Sequence, residues 1–390
     1  MRIAFVDYIL DPRMPGRSGL SDVVWDMASK LADMGHESHI VASYHSSKVP
    51  DQRVRLHQFQ TPPMGYRNVF GNLWLLGRTA SILRNLQLDV IHCPEYLSTG
   101  VMSALGINVP IVLTVPGNIY QRLGVSRGSS YEWHYAQVLK WAARRSARRC
   151  ARVIAISADM KFWWEKTGTP EVRIALIPLG VNPSIFFPVQ SARSKLGIGR
   201  ERVVLSYVGR FAVEKGLVDL LTAVKRVSDE APTSNLIVYL IGGGPMEGEL
   251  RDTIVKLNLG ERVVMIPWVQ KEELRVWYSA SDAVVLPSYS EGLSRTIPEA
   301  MMCGTPIIGS RISGTEDHVT DGETGYLFEA GNVKQLSRVL SCMSGDTRPL
   351  NSMRTTVRRY AQRRLAWDSV MERIVNEIYV PVIEARQRSR

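Results

Sequence analysis

Residues 287–310 read PSYSEGLSRTIPEAMMCGTPIIGS, and the reading of this stretch decides the fold. The apolar run 282–287 (DAVVLP) enters it as a strand enters a loop. The loop carries Glu291 and a glycine, and an alanine-containing helical start carries Glu299, eight positions further on. A glycine-proline turn over 303–306 then returns the chain to a second apolar strand, 307–309. The pattern predicts a strand–loop–helix–strand unit, whose ligands bind where strands end and helices begin. A carboxylate at each end of the loop can accept hydrogen bonds from neighbouring hydroxyls, as sugar recognition requires. Two solvated loop carboxylates are the simpler reading of any lone pair of glutamates, so the surrounding sequence has to decide.

Working outward, short β-branched runs alternate with helical periodicity on both sides. In the first half, strands are predicted at 3–6, 38–42, 90–92, 111–115 and 153–156, with a helix over 22–34 that stops at Gly35. The segment 177–188, IPLGVNPSIFFP, is rich in Pro and Gly and reads as an interdomain linker. A second series follows, with strands at 203–208, 236–241, 263–266 and 325–328 and helices at 216–230, 245–257 and about 333–343. Strands spaced by helices imply βα units and parallel sheets. The expectation is an α/β chain of two Rossmann-like, doubly wound domains facing a cleft, over 1–182 and 183–365, with 366–390 a last helix and basic tail.

Composition agrees with a large enzyme outside the membrane. The 390 residues accommodate two such domains. No apolar run approaches the roughly 18 residues of a membrane span. The N-terminus, MRIAFVDYIL, reads as a buried strand and not as a secretory signal. Cys93, Cys150, Cys303 and Cys342 form no CxxC pair, which argues for reduced thiols, a cytoplasmic setting and no zinc site. Lys and Arg outnumber Asp and Glu by 48 to 37, and the net charge of +11 favours anionic partners.

The residues that carry chemistry come from both halves. SYVGR followed by FAVEKG places Arg210 and Lys215 at and just beyond a strand end, where two cations could neutralise a diphosphate. In IGGGPMEGEL, Gly242, Gly243 and Gly244 let the backbone pass close to a ligand, and Pro245 opens the next helix. In the first half, PGRSGLSD sets Gly19 at a helix start suited to phosphates.

These elements together resemble the retaining glycosyltransferase group 1 family, of family-4 type: E-x7-E at Glu291 and Glu299, G-R-x4-K-G at Arg210, Lys215 and Gly216, and G-x-G-P at Gly242–Pro245. The resemblance covers nearly the whole chain and implies the GT-B architecture, with 1–182 on the acceptor side and 183–365 holding a nucleotide-sugar donor. It further implies that the helix 367–379 crosses back to brace the first domain. By this resemblance Arg210, Lys215 and Glu291 are catalytic, Glu291 facing the donor sugar. Gly19, Gly243, Gly244, Leu293, Ser294, Arg295 and Glu299 bind the donor, Glu299 through the ribose. No metal or other cofactor is expected, since two cations already serve the phosphates. The chain departs from the family pattern at Ser18, where a second glycine is usual, and at Leu293 and Ser294, where Phe and Gly are common. Pro116 stands where many members have a histidine, which leaves Asn118 and His92 as candidate acceptor-side residues. The implied acceptor is a glycan or a lipid-linked hydroxyl in cell-surface biosynthesis. Rival readings are a sugar-nucleotide epimerase on the same fold and a non-catalytic protein that binds anionic surfaces.

A last feature stands apart from these motifs. In VLKWAARRSARRCARV, 138–153, Lys140, Arg144, Arg145, Arg148, Arg149 and Arg152 cover one half of a predicted helix. Such a face suits peripheral contact with an anionic cytoplasmic membrane surface, or else plain solvation. No nucleic-acid-binding signature is present, and no nucleic acid partner is expected.

Overall fold

The computed structural model describes residues 1–10, 19–44, 51–59, 69–93, 106–114, 144–146, 148–291 and 294–389. The chain forms two compact units, Met1–Gly180 with Trp367–Arg390, and Val181–Ala366.

In the first unit, β1 (Arg2–Leu10) leads to α1 (Gly19–Asp33), β2 (Glu37–Tyr44), β3 (Arg55–Phe59), α2 (Val69–Asn85), β4 (Val90–Cys93) and β5 (Ile111–Thr114). After it come β6 (Arg152–Ala155), α3 (Ala158–Lys166) and β7 (Ile174–Leu176). The strands pair in parallel in the order β3-β2-β1-β4-β5-β6-β7, so the winding reverses between β1 and β4. Helix α1 buries Val23, Val24, Met27, Ala28 and Leu31, the helical stripe that its periodicity predicts. Two edge strands escape the apolar-run criterion: β3 reads RLHQF, and β7 is three residues long. The structure corrects one expectation here. The basic helix does not continue to residue 153: Cys150 is already outside it, and Arg152 opens β6 and donates to the carbonyl of Val172. The helical arginines follow the expected division, with Ser146 buried and Arg144, Arg148 and Arg149 exposed, while Lys140 lies outside the described residues.

The second unit runs α4 (Ala192–Lys195), β8 (Val203–Arg210), α5 (Leu217–Glu230), β9 (Leu236–Gly243), α6 (Glu247–Lys256), β10 (Val263–Ile266) and α7 (Lys271–Ala280). It continues with β11 (Ala283–Leu286), α8 (Thr296–Met302), β12 (Ile307–Ser310), β13 (Gly325–Phe328), α9 (Val333–Gly345) and α10 (Arg348–Arg364). Its parallel sheet has the order β10-β9-β8-β11-β12-β13, with the reversal between β8 and β11. Both central strands are buried along nearly their whole length, as strands covered on two faces must be.

The chain then returns to the first unit as α11 (Trp367–Arg373), a π-helical turn (Ile374–Tyr379) and α12 (Val380–Arg388). Two buried contacts are among those that seat it. The indole of Trp367 lies where a Cβ on Gly180 would be, and its N–H donates to Asp26 of α1 at 3.1 Å. Tyr379, at the end of the π turn, meets Nδ1 of His92 at 2.6 Å, and Nε2 of His92 meets the hydroxyl of Thr114 at 2.7 Å. Complete burial pushes the pKa of His92 down from 6.5 to about 3, so its neutral ring donates at one nitrogen and accepts at the other.

Gly180→Ala should therefore destabilise the first unit by about 1–3 kcal/mol, because the added methyl group overpacks a buried indole; urea unfolding of the intact chain reads this directly. His92 also makes a pH prediction. Between pH 6.5 and about 3 the unfolded chain takes up a proton that the folded one refuses. Stability is then complete above pH 6.5 and falls as the pH drops toward 3. His92→Gln should flatten that slope in unfolding measured across this range.

Candidate active site

In the second unit the switch between β8 and β11 brings two loops side by side at the carboxyl ends of the strands. Gly216 is what allows them to touch. It sits at φ +63°, and a side chain there would strike the carbonyl of Pro287. Two residues further into each loop, the amide of Tyr289 donates to the carbonyl of Glu214 at 2.9 Å. With the backbones locked in this way, Lys215 Nζ reaches Glu291 Oε1 at 2.6 Å, across 76 residues of sequence. The side chains of this pair are only 19% and 6% exposed, so each charge depends on the other for compensation.

The hydroxyl of Ser288 donates to the same Oε1 at 2.7 Å, which fixes the plane of the Glu291 carboxylate. Arg210 ends β8 and is more open. Its guanidinium pairs with Glu214, one turn along the same loop.

The glycine-rich turn lies against Arg210 by register, since Arg210 stands opposite Gly243 across β8 and β9. Phe211 donates its amide to the Gly243 carbonyl at 2.9 Å, and a side chain on Gly244 would collide with the Phe211 backbone. Trp268, half-exposed just after β10, has its indole beside Gly243.

Glu299 lies in α8, whose start is tied to β8 by the Thr296 hydroxyl donating to the Val208 carbonyl at 3.0 Å. Its carboxylate accepts from the Tyr278 hydroxyl at 3.0 Å, and Arg295 Nε lies 3.6 Å away on the other oxygen. Burial, with the Glu299 charge added, holds the Tyr278 phenol well above its usual pKa. The same two causes push the Cys303 thiol up to about 12, so this cysteine is inert packing.

Of the residues singled out from sequence, Arg210, Lys215, Glu291, Gly243, Gly244, Ser294, Arg295 and Glu299 thus belong to the second unit, around the carboxyl ends of β8, β9 and β11. Gly19 and His92 belong to the first unit. Gly19 is the first residue of α1, whereas His92 is buried with both ring nitrogens engaged and offers neither to an acceptor. Leu293, Asn118 and Pro116 lie outside the described residues. Sequence reading passed over Ser288, Tyr278, Glu214 and Trp268. Ser288 and Glu214 stand three and one positions from residues that were singled out, while nothing local marks Tyr278.

Comparison with known proteins gives the family. Residues 189–364 match the family described as "Glycosyl transferases group 1", and residues 17–185 match "Glycosyltransferase Family 4". The D-inositol 3-phosphate glycosyltransferases of Thermomonospora curvata and Streptomyces avermitilis are 28% and 29% identical over 55% of this chain. The chain spans about half the length of these two relatives, 53% and 48%. A third, from Thermobispora bispora, is 29% identical over 95% of this chain and 91% of its own. Among solved structures, sucrose-phosphate synthase from Thermosynechococcus elongatus superposes with a TM-score of 0.82 at 22% identity, over 98% of this chain and 99% of that one. Anabaena HepE in complex with UDP-glucose does so at 0.76 and 20% identity, over 97% and 100%. These structures share the two-domain GT-B fold. With the two family matches running from residue 17 to residue 364, the chain belongs to the group 1, family-4 type glycosyltransferases.

Proposed function

We propose that this chain moves a sugar from a nucleotide-diphosphate donor to an acceptor hydroxyl with retention of configuration. The observation that carries the proposal is the contact of Lys215 with Glu291 across the strand switch, with Arg210 beside the glycine turn. The donor diphosphate would lie over Arg210, Lys215 and the backbone at Gly243 and Gly244. Glu291 would accept from donor sugar hydroxyls, and Glu299 from the ribose. As the bond from the anomeric carbon to the phosphate oxygen breaks, charge grows on the diphosphate, and the two cations stabilise it. The acceptor oxygen bonds to the same face of that carbon, and its proton passes to the departing phosphate. UDP-glucose, bound by HepE, is a reasonable first donor to assay. An epimerase would use the same cations, and the product distinguishes the two readings.

The acceptor belongs, on this reading, to cell-surface glycan or glycolipid synthesis at the cytoplasmic membrane face. No helix among the described residues is long and apolar enough to cross a membrane. Exposed Arg144, Arg148 and Arg149, with the partly exposed Arg145, instead supply a cationic face for anionic lipid.

Arg210→Ala and Lys215→Ala should each lower turnover about 100-fold while weakening donor binding far less, because the charge that they meet develops in the transition state. Activity should survive EDTA; loss on chelation with recovery in manganese would contradict the metal-free reading. Replacing Arg144, Arg145, Arg148 and Arg149 with Gln should abolish sedimentation with anionic vesicles, each charge contributing about 1 kcal/mol at such a surface. Equal sedimentation of variant and parent would leave a solvated helix and a soluble acceptor.

A further inference from the structure

Glu299 is a carboxylate in an almost closed environment, its side chain 10% exposed. A carboxylate placed there is stable only if polar groups replace the water that it has lost. Tyr278 supplies one of them. It lies on a different helix, α7, is fully buried, and directs its hydroxyl at Oε2 from a distance of 3.0 Å. The ring has little freedom. Phe186 lies 6.1 Å from it, centroid to centroid, and its own carbonyl accepts the Thr305 hydroxyl at 2.7 Å, just past the end of α8. Tyr278 therefore holds α8 at two places, the carboxylate in its first turns and the turn that follows it. Because burial keeps the phenol protonated, it donates at every working pH.

We infer that Tyr278 is a positioning residue for nucleotide recognition: it fixes the rotation of the Glu299 carboxylate so that both ribose hydroxyls can be met at once. The inference rests on the assignment of Glu299 to the ribose. A vicinal diol presents two O–H donors in a set direction, and a carboxylate satisfies both only when its plane is held. A 2′-deoxyribose presents one donor, which a freely turning carboxylate serves equally well. Tyr278 thus acts on the preference for ribose over deoxyribose and not on affinity in general. Ser288 provides a matched comparison, since it is an equally buried hydroxyl bonded to the other glutamate, Glu291.

The test is calorimetric titration of the full chain with UDP, GDP and ADP and with their 2′-deoxy forms, in wild type, Tyr278→Phe, Glu299→Gln and Ser288→Ala. For the base that binds, Tyr278→Phe should weaken the ribonucleotide about three- to tenfold and change the deoxynucleotide less than about twofold, the effect of one hydrogen bond of ordinary net strength. Ser288→Ala should keep the wild-type ratio. If Tyr278→Phe keeps that ratio while Glu299→Gln loses it, Tyr278 is packing and the inference is overturned with the ribose assignment intact. If Glu299→Gln keeps the ratio, the ribose assignment itself fails. Parallel weakening of both nucleotides in Tyr278→Phe, or no binding of any diphosphate to wild type, would also overturn the inference.

Discussion

The ion pair between Lys215 and Glu291 is the constraint on which the rest of the site depends. A parallel sheet wound in two directions leaves a crevice beyond the carboxyl ends of its central strands, here the paired β8 and β11, where their loops diverge. Side chains on the two flanking loops can meet only if the loop backbones approach within van der Waals contact. Gly216 permits that approach because it has no side chain to strike Pro287. The buried Lys–Glu contact then makes the two loops interdependent, since neither charge is tolerable alone at that depth. Arg210, the glycine turn and Ser288 are placed relative to this contact.

The chemistry inherits a particular balance from it. Lys215 and Arg210 each have a carboxylate within reach in this structure, Glu291 and Glu214. On the proposed reading, a diphosphate entering the site would compete with those carboxylates for the same ammonium and guanidinium. Binding strength would be moderated in this way, while the charge that develops on the leaving group would still find two cations in place. The much greater exposure of Arg210 makes its partner the easier of the two to displace.

What could be read from the sequence was whatever repeats with a period or returns at a fixed spacing. The central strands β1, β4, β8 and β11 are continuous apolar runs, and the glutamates, Arg210, Lys215 and the glycine turn stand at spacings that name a family. The polar edge strand β3, the short β7 and the helix α3 carry no such signal. Their place is set by neighbours: β3 needs only backbone bonds to β2, and α3 buries just Met160 and Trp164. His92 illustrates a different limit. A histidine at a strand end reads as an acceptor-side candidate in sequence, and only the structure shows its ring engaged by Tyr379, 287 residues later. Tyr278 is the converse, an unremarkable helix residue until α8 brings Glu299 to its hydroxyl.

The return of Trp367–Arg390 to the first unit makes Val181–Ala366 an insertion within it. The chain leaves at Gly180 and comes back at Trp367, and these two residues are in contact. Val181 and Leu365 are likewise joined, by a backbone hydrogen bond of 2.7 Å. On the ribosome, the inserted unit is therefore complete before the unit that began first. Domains fold as units while synthesis proceeds, so the earlier sheet waits with Gly180 uncovered and His92 unpartnered by Tyr379 until the returning segment emerges. The segment Trp367–Arg388 is in this sense a late step of biogenesis, and a chain cut before it would hold a finished second unit and an unfinished first one.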